Sequence, residues 1–179
     1  PSVLPGCVVT LWKRLKQTIM IYPILSYGNP VLKQEAEEIE ADYEGLQTLI
    51  DDMFETMYAS EGVGLAAPQI GKSIRLFVID PANIDENLTD LKRVFINPEV
   101  IRLEGDEWDY EEGCLSLPDI REKICRPDQV LINYLDRNFE EQEEFFSGIA
   151  GRIVQHEYDH IEGVLFTDHL SPLKRRMLK

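Results

Sequence analysis

Histidine and cysteine are scarce in this chain, with three of each among 179 residues. The cysteines, Cys7, Cys114 and Cys125, are odd in number. Such a count does not make a disulfide framework, and a reducing compartment suits it better. Basic residues are short as well, 18 against 33 acidic ones, for a net charge of −15. Gripping phosphates needs a basic surface, so this balance argues against nucleic acid as a direct substrate. No apolar run is long enough to span a membrane. Repeats and low-complexity tracts are absent too. What is left is an acidic chain, 44% hydrophobic, long enough for one globular domain with a core of its own.

Two of the three histidines stand close together, in Gln155-His156-Glu157-Tyr158-Asp159-His160. Residues four apart on a helix lie on one face. His156 and His160 can therefore grip one transition-metal ion, with Glu157 beside them as general base. This H-E-x-x-H pattern is the one expected of metal-assisted hydrolysis. Two ligands make a poor site. A third histidine at the spacing of the longer zinc-protease pattern would fall at position 166, which is Phe166. The candidate third ligand is Cys114, in Glu112-Gly113-Cys114-Leu115-Ser116. Gly113 permits a sharp bend there, and Glu112 and Ser116 make the surroundings polar. Cys, His and His leave a fourth position open, as a catalytic site requires. Cys125 has no such neighbours and reads as structural. Tyr158 reads as packing, Asp159 as helix surface and His169 as solvent-facing.

The rest of the chain organises around this motif. Residues 1–19 read as a non-native leader and residues 20–179 as a single catalytic domain, with Met20 resembling a natural start. Residues 42–57 carry Leu46, Leu49, Ile50, Met53 and Met57 at helical spacing, with Asp42 as N-cap. Three glycines and a proline in residues 62–71 forbid a regular helix, leaving a tight turn or the wall of a cleft. Strands are expected over residues 74–79, 94–96, 100–103, 129–135 and 139–146, with a turn at Asn97-Pro98. Ser147 or Gly148 opens the histidine helix, on which Ile149, Ile153, His156 and His160 share a face. A short basic helix starts at Ser171-Pro172. The expected class is α+β, with mixed or antiparallel strands packed around a C-terminal metal-binding helix.

Three stretches together resemble the peptide deformylase family: residues 62–69, residues 112–116 and residues 155–160, in the family's order and approximate spacing. The resemblance runs from about Met20 to Lys179. It implies removal of the formyl group from N-formylmethionine at the start of new polypeptides, releasing formate, in a bacterial cytoplasm. Carried over residue by residue, it makes Cys114, His156 and His160 the metal ligands and Glu157 the base. It makes the Gln69 side-chain amide and the Leu115 backbone N–H donors to the developing oxyanion. It places Val63, Gly64 and Gly113 along the substrate backbone, Gly62 or Val63 opposite the methionine pocket, and Arg121 at the outer rim. Ile149 and Ile153 are expected to line the methionine pocket. The cofactor implied is one divalent ion, Fe(II) in the cell, with Zn, Ni or Co possible after purification. Formylated nascent peptides are the partners, and the basic C-terminal tail could touch the ribosome.

Glu112 and Arg126 are close enough in sequence to pair across the Cys114 loop and steady that ligand. Two other functions share parts of the pattern. A zinc peptidase shares H-E-x-x-H but not a cysteine ligand or the Gln69 loop. A silent metal-binding module would not need Glu157 and Gln69.

Overall fold

The computed structural model describes residues 19–178. Its centre is β2 (Leu76–Ile79), four apolar residues with no exposed side. Alternate side chains of a strand face opposite ways. Leu76 and Val78 therefore enter one core, and Phe77 and Ile79 another. Four further strands join β2 in one antiparallel meander, ordered as in the chain: β1 (Gly64–Ala66), β2, β3 (Arg93–Cys114), β4 (Leu117–Leu135) and β5 (Glu141–Ser147). Helix α1 (Leu46–Ala59) closes the first core and α2 (Gly148–Ile161) the second. The α+β expectation holds, with an antiparallel sheet packed against the histidine helix.

Local physics accounts for the boundaries. The five apolar residues expected on the inner face of α1 are all buried. The helix starts later than expected, because Gly45 caps it in a left-handed conformation (φ 74°), leaving Asp42 in the preceding turn. In α2, a side chain on Gly151 would press within 3.0 Å of the carbonyls of Asp128 and Phe146. The missing side chain lets the helix lie directly on the backbones of β4 and β5. The short helix α3 (Pro172–Met177) follows, capped by Ser171.

The sheet corrects several expectations. Asn97-Pro98 is no turn: β3 runs through it as a bulge, with Asn97 left-handed at φ 46° and its amide holding both the N–H and C=O of Ile39. The short strands on either side are thus one strand. Ile74 stands outside β2, in an isolated parallel bridge to Glu37. Phe139, at φ 60°, belongs to the turn before β5. The expected leader lies outside the described residues except for Ile19, as do Cys7 and Lys179.

Candidate metal and peptide site

Cys114 is the last residue of β3, and Leu115-Ser116 is the two-residue turn that sends the chain back into β4. The bend lies after the cysteine, so Gly113 does not make it. Gly113 is strand, paired with Arg121, whose side chain lies over it: a β-carbon there would sit 3.3 Å from Arg121 Nη1. Between this pair and the next, Cys114 with Leu117, the register slips, and Pro118, Asp119 and Ile120 form a bulge with Asp119 left-handed at φ 65°.

This hairpin tip meets α2. Cys114 Sγ lies 3.2 Å from His160 Nε2. One donor atom from each of Cys114, His156 and His160 falls within 4.8 Å of the other two. Donors gathered tetrahedrally at about 2.0–2.3 Å from a zinc-like ion sit roughly 3.3–3.8 Å apart. The set therefore fits one divalent ion, and thiolate with imidazole selects a late first-row metal over magnesium or calcium. His156 is oriented for this: its Nδ1 bonds Glu112 Oε2 at 2.9 Å, which turns Nε2 toward the other donors.

Glu112 does more than the sequence suggested. The expected pair with Arg126 forms as a fork, 2.7 Å and 3.1 Å, with both side chains buried. Arg152 adds a third contact at 3.1 Å. Burial pushes the Glu112 carboxyl up, but the hydrogen bonds from His156 and Arg126 outweigh it and hold the group well below the usual carboxylate range. Arg152 is a residue sequence reasoning missed. It also donates to the carbonyls of Trp108 and Ile124 and lies 4.5 Å over the Trp108 ring. The sequence shows only its place one helical turn before His156, not its partners. Asp159 is not plain helix surface either, since it bonds Arg126 at 2.8 Å and the exposed His169 at 2.7 Å. Cys125, expected to be structural, is exposed.

The chemistry faces a cleft of about 480 Å³. Every expected substrate-binding residue lines it: Gly62, Val63, Gly64, Gly113, Arg121, Ile149 and Ile153. Gln69, Leu115, Cys114, His156 and Glu157 do too, while His160 lies buried beneath. Tyr110, Ile84 and Ile120, which the sequence did not single out, are also among the lining residues. β1 is the end strand of the sheet, so its outer edge is open to an added strand. Gln69 is fixed by its own backbone neighbour: Oε1 accepts from Ala66 N–H at 2.8 Å, so Nε2 is the end that points to Cys114, 3.5 Å away.

Glu157 is buried, and its Oε2 has no hydrogen-bond partner among the described residues. Burial pushes its carboxyl up to about 7; His156 opposes this, while Glu112 and Asp159 add to it. A carboxyl poised near neutrality suits taking a proton and giving it back.

Known proteins resemble this chain in sequence and fold. The sequence profile of the family described as polypeptide deformylase matches residues 21–176. A peptide deformylase of Christiangramia forsetii is 52% identical over 170 residues, which cover 89% of this chain and 87% of that one. The crystal structure of a peptide deformylase from Legionella pneumophila aligns with a TM-score of 0.81 at 44% identity, covering 89% of this chain and 91% of that one. A Met-Ala-Ser-bound class I type b peptide deformylase from Acinetobacter baumannii aligns with a TM-score of 0.78 at 34% identity, covering 86% and 100%.

Proposed function

This chain belongs to the polypeptide deformylase family, hydrolases that remove the N-formyl group from nascent peptides, and we propose how its residues divide that work. The reading rests above all on one observation: Cys114, His156 and His160 converge beside Glu157 and Gln69 at the floor of a cleft with an open strand edge. Cys114, His156 and His160 would hold one divalent ion, Fe(II) in the cell, with Zn, Ni or Co able to replace it. When bound, such an ion polarises a carbonyl and lowers the pKa of water toward neutrality.

The other residues bind, orient and move protons. The formylated peptide lies along β1 as an extra strand, between residues 62–64 and Gly113. Val63 C=O accepts from Asp80 N–H, which ties the start of this edge to the residue after β2. Ile149 and Ile153 take the methionine side chain, and Arg121 borders the outer rim. Glu157 removes a proton from the attacking water as the water oxygen bonds to the formyl carbon. Gln69 Nε2 and the Leu115 N–H donate to the formyl oxygen while it gains charge. Losing one such donor costs roughly 100- to 1000-fold. Glu157 then returns the proton to the leaving nitrogen, the C–N bond breaks, and formate and a free peptide amine depart.

Residues 20–179 act as one catalytic domain, which the family match over residues 21–176 supports. Bacterial relatives support a bacterial cytoplasmic enzyme. A ribosome contact through α3 would rest on little free charge. Lys174 pairs with Glu122 at 3.3 Å, and Arg175 bonds Asp168 and the carbonyls of Asp168 and Leu170.

The test is formate release from a formyl-Met peptide, compared with cleavage of its unformylated and N-acetylated forms. Turnover of the formyl peptide alone is expected. Cleavage of internal peptide bonds would point to a peptidase, and no turnover with metal bound would point to a silent module.

A further inference from the structure

Asp52, on α1, is a carboxylate buried to 5% exposure, far along the chain from the metal ligands. Burying a charge is costly unless an opposite charge meets it. Among the described residues no lysine, arginine or histidine pairs with it. Its partner is instead a main-chain nitrogen, Met20 N, at 2.9 Å. One helical turn on, Thr56 Oγ1 accepts from Tyr22 N–H at 3.0 Å, so the two side chains hold this segment at alternate residues. The side chains of Ile19, Met20 and Ile21 point outward, each more than half exposed. At Met20 it is the backbone that is recognised.

We propose that Asp52 is a receptor for a chain terminus: it binds the α-ammonium group of a chain that begins at Met20. An amide N–H brings one neutral donor to a buried carboxylate. An ammonium at the same atom brings a full positive charge beside the carboxylate, which a neutral amide does not. The residue at that atom is methionine, the one with which translation starts. The anchor also has something to hold. The segment it begins runs on to the site, where Leu25 N–H bonds Gln69 C=O and Tyr27 N–H bonds Ser116 C=O, both at 2.8 Å. The strap thus ties α1 to the oxyanion donor and to the turn behind Cys114. A formyl group on Met20 would leave its nitrogen uncharged, so the enzyme's own chain would need deformylation to complete the pair. That last step rests on the activity proposed above; the ion pair does not.

The experiment compares the full chain with a chain starting at Met20, each as wild type and as Asp52→Asn, by thermal melting without substrate. The shorter wild-type chain is expected to melt about 2–4 °C above the full chain, the shift that one new interaction gives a protein of this size. Asp52→Asn should erase that gain. A gain of the same size in both backgrounds, or none in wild type, overturns the proposal. NMR titration of the Met20 α-amine in the unmutated shorter chain needs no substitution. It should titrate about one unit above the ordinary value near 8; an ordinary value overturns the receptor role.

Discussion

Glu157 occupies the space that a side chain on Gly64 would fill: a β-carbon there would overlap its Oε1, with Cδ at 2.7 Å and Cγ at 2.8 Å. The wall of the cleft and the position of the proposed base are therefore set by the same atom that is missing. Gly64→Ala should push the carboxylate aside and lower kcat by about 100-fold or more, the lower end of what general-base catalysis supplies. Glu157→Gln keeps the shape and removes the base, so it should lose nearly all turnover while metal content stays at one ion per chain. Steady-state kinetics beside metal analysis checks both. An apo Glu157→Gln protein would mean that Glu157 holds the ion.

Cys114→Ser should cost most of the bound metal or the activity, because a hydroxyl is a poor anionic ligand at neutral pH. Cys125→Ser should leave both unchanged, since Cys125 is exposed on the outer part of the hairpin. Metal content after dialysis, measured for both variants, separates them. A normal Cys114 variant would remove the cysteine from the ligand set.

Glu112→Gln should weaken metal binding by about 10- to 100-fold, the usual effect of losing the group that orients a metal-bound histidine. It should also destabilise the fold, because Arg126 and Arg152 lose their shared counter-charge in a buried place; breaking a buried pair costs about 3–5 kcal/mol. Competition with a chromophoric chelator reads the first effect and urea unfolding the second. Unchanged values in both would make the Glu112 cluster idle.

Ile153 lines the cleft one helical turn from Glu157 and is 7% exposed. Ile153→Asp should raise KM steeply for formyl-Met peptides by placing a charge in the wall proposed to take the methionine side chain. Equal kinetics for the two proteins would take this face of α2 out of the pocket.

Reversing Lys174, Arg175 and Arg176 to Glu should lower the melting temperature, because Lys174 and Arg175 already serve Glu122 and Asp168 within the protein. Ribosome co-sedimentation, run at low and moderate salt, tests the other role. A salt-sensitive loss of co-sedimentation with normal activity on short peptides would show that the tail docks.

The convergence of Cys114, His156 and His160 was legible because its signals are local. His156 and His160 need only a helical period, and Cys114 stands in a short polar stretch. The hairpin that carries Cys114 was not legible. Residues 104–113 are rich in glycine and acidic side chains, which strands avoid when judged alone. They become β3 because β4 brings complementary neighbours across: Glu111 faces Lys123 and Trp108 faces Arg126. That pairing is long-range information. Arg152 was missed for a related reason. Its partners, Glu112 and the carbonyls of Trp108 and Ile124, all lie on other elements.

The donors stand on two separate elements of the fold. His156 and His160 belong to a helix seated on sheet backbone at Gly151. Cys114 sits at the tip of a hairpin whose long outer part has acidic, exposed residues. An ion held by both would act as a removable rivet, closing the loop of chain between positions 114 and 156 and cutting the freedom of its open form. Durability, and not only turnover, should then follow the metal. A chelated sample given a trace of trypsin should be cut first within β4 at Arg121 or Lys123, and returning the ion should restore resistance before any substrate is added.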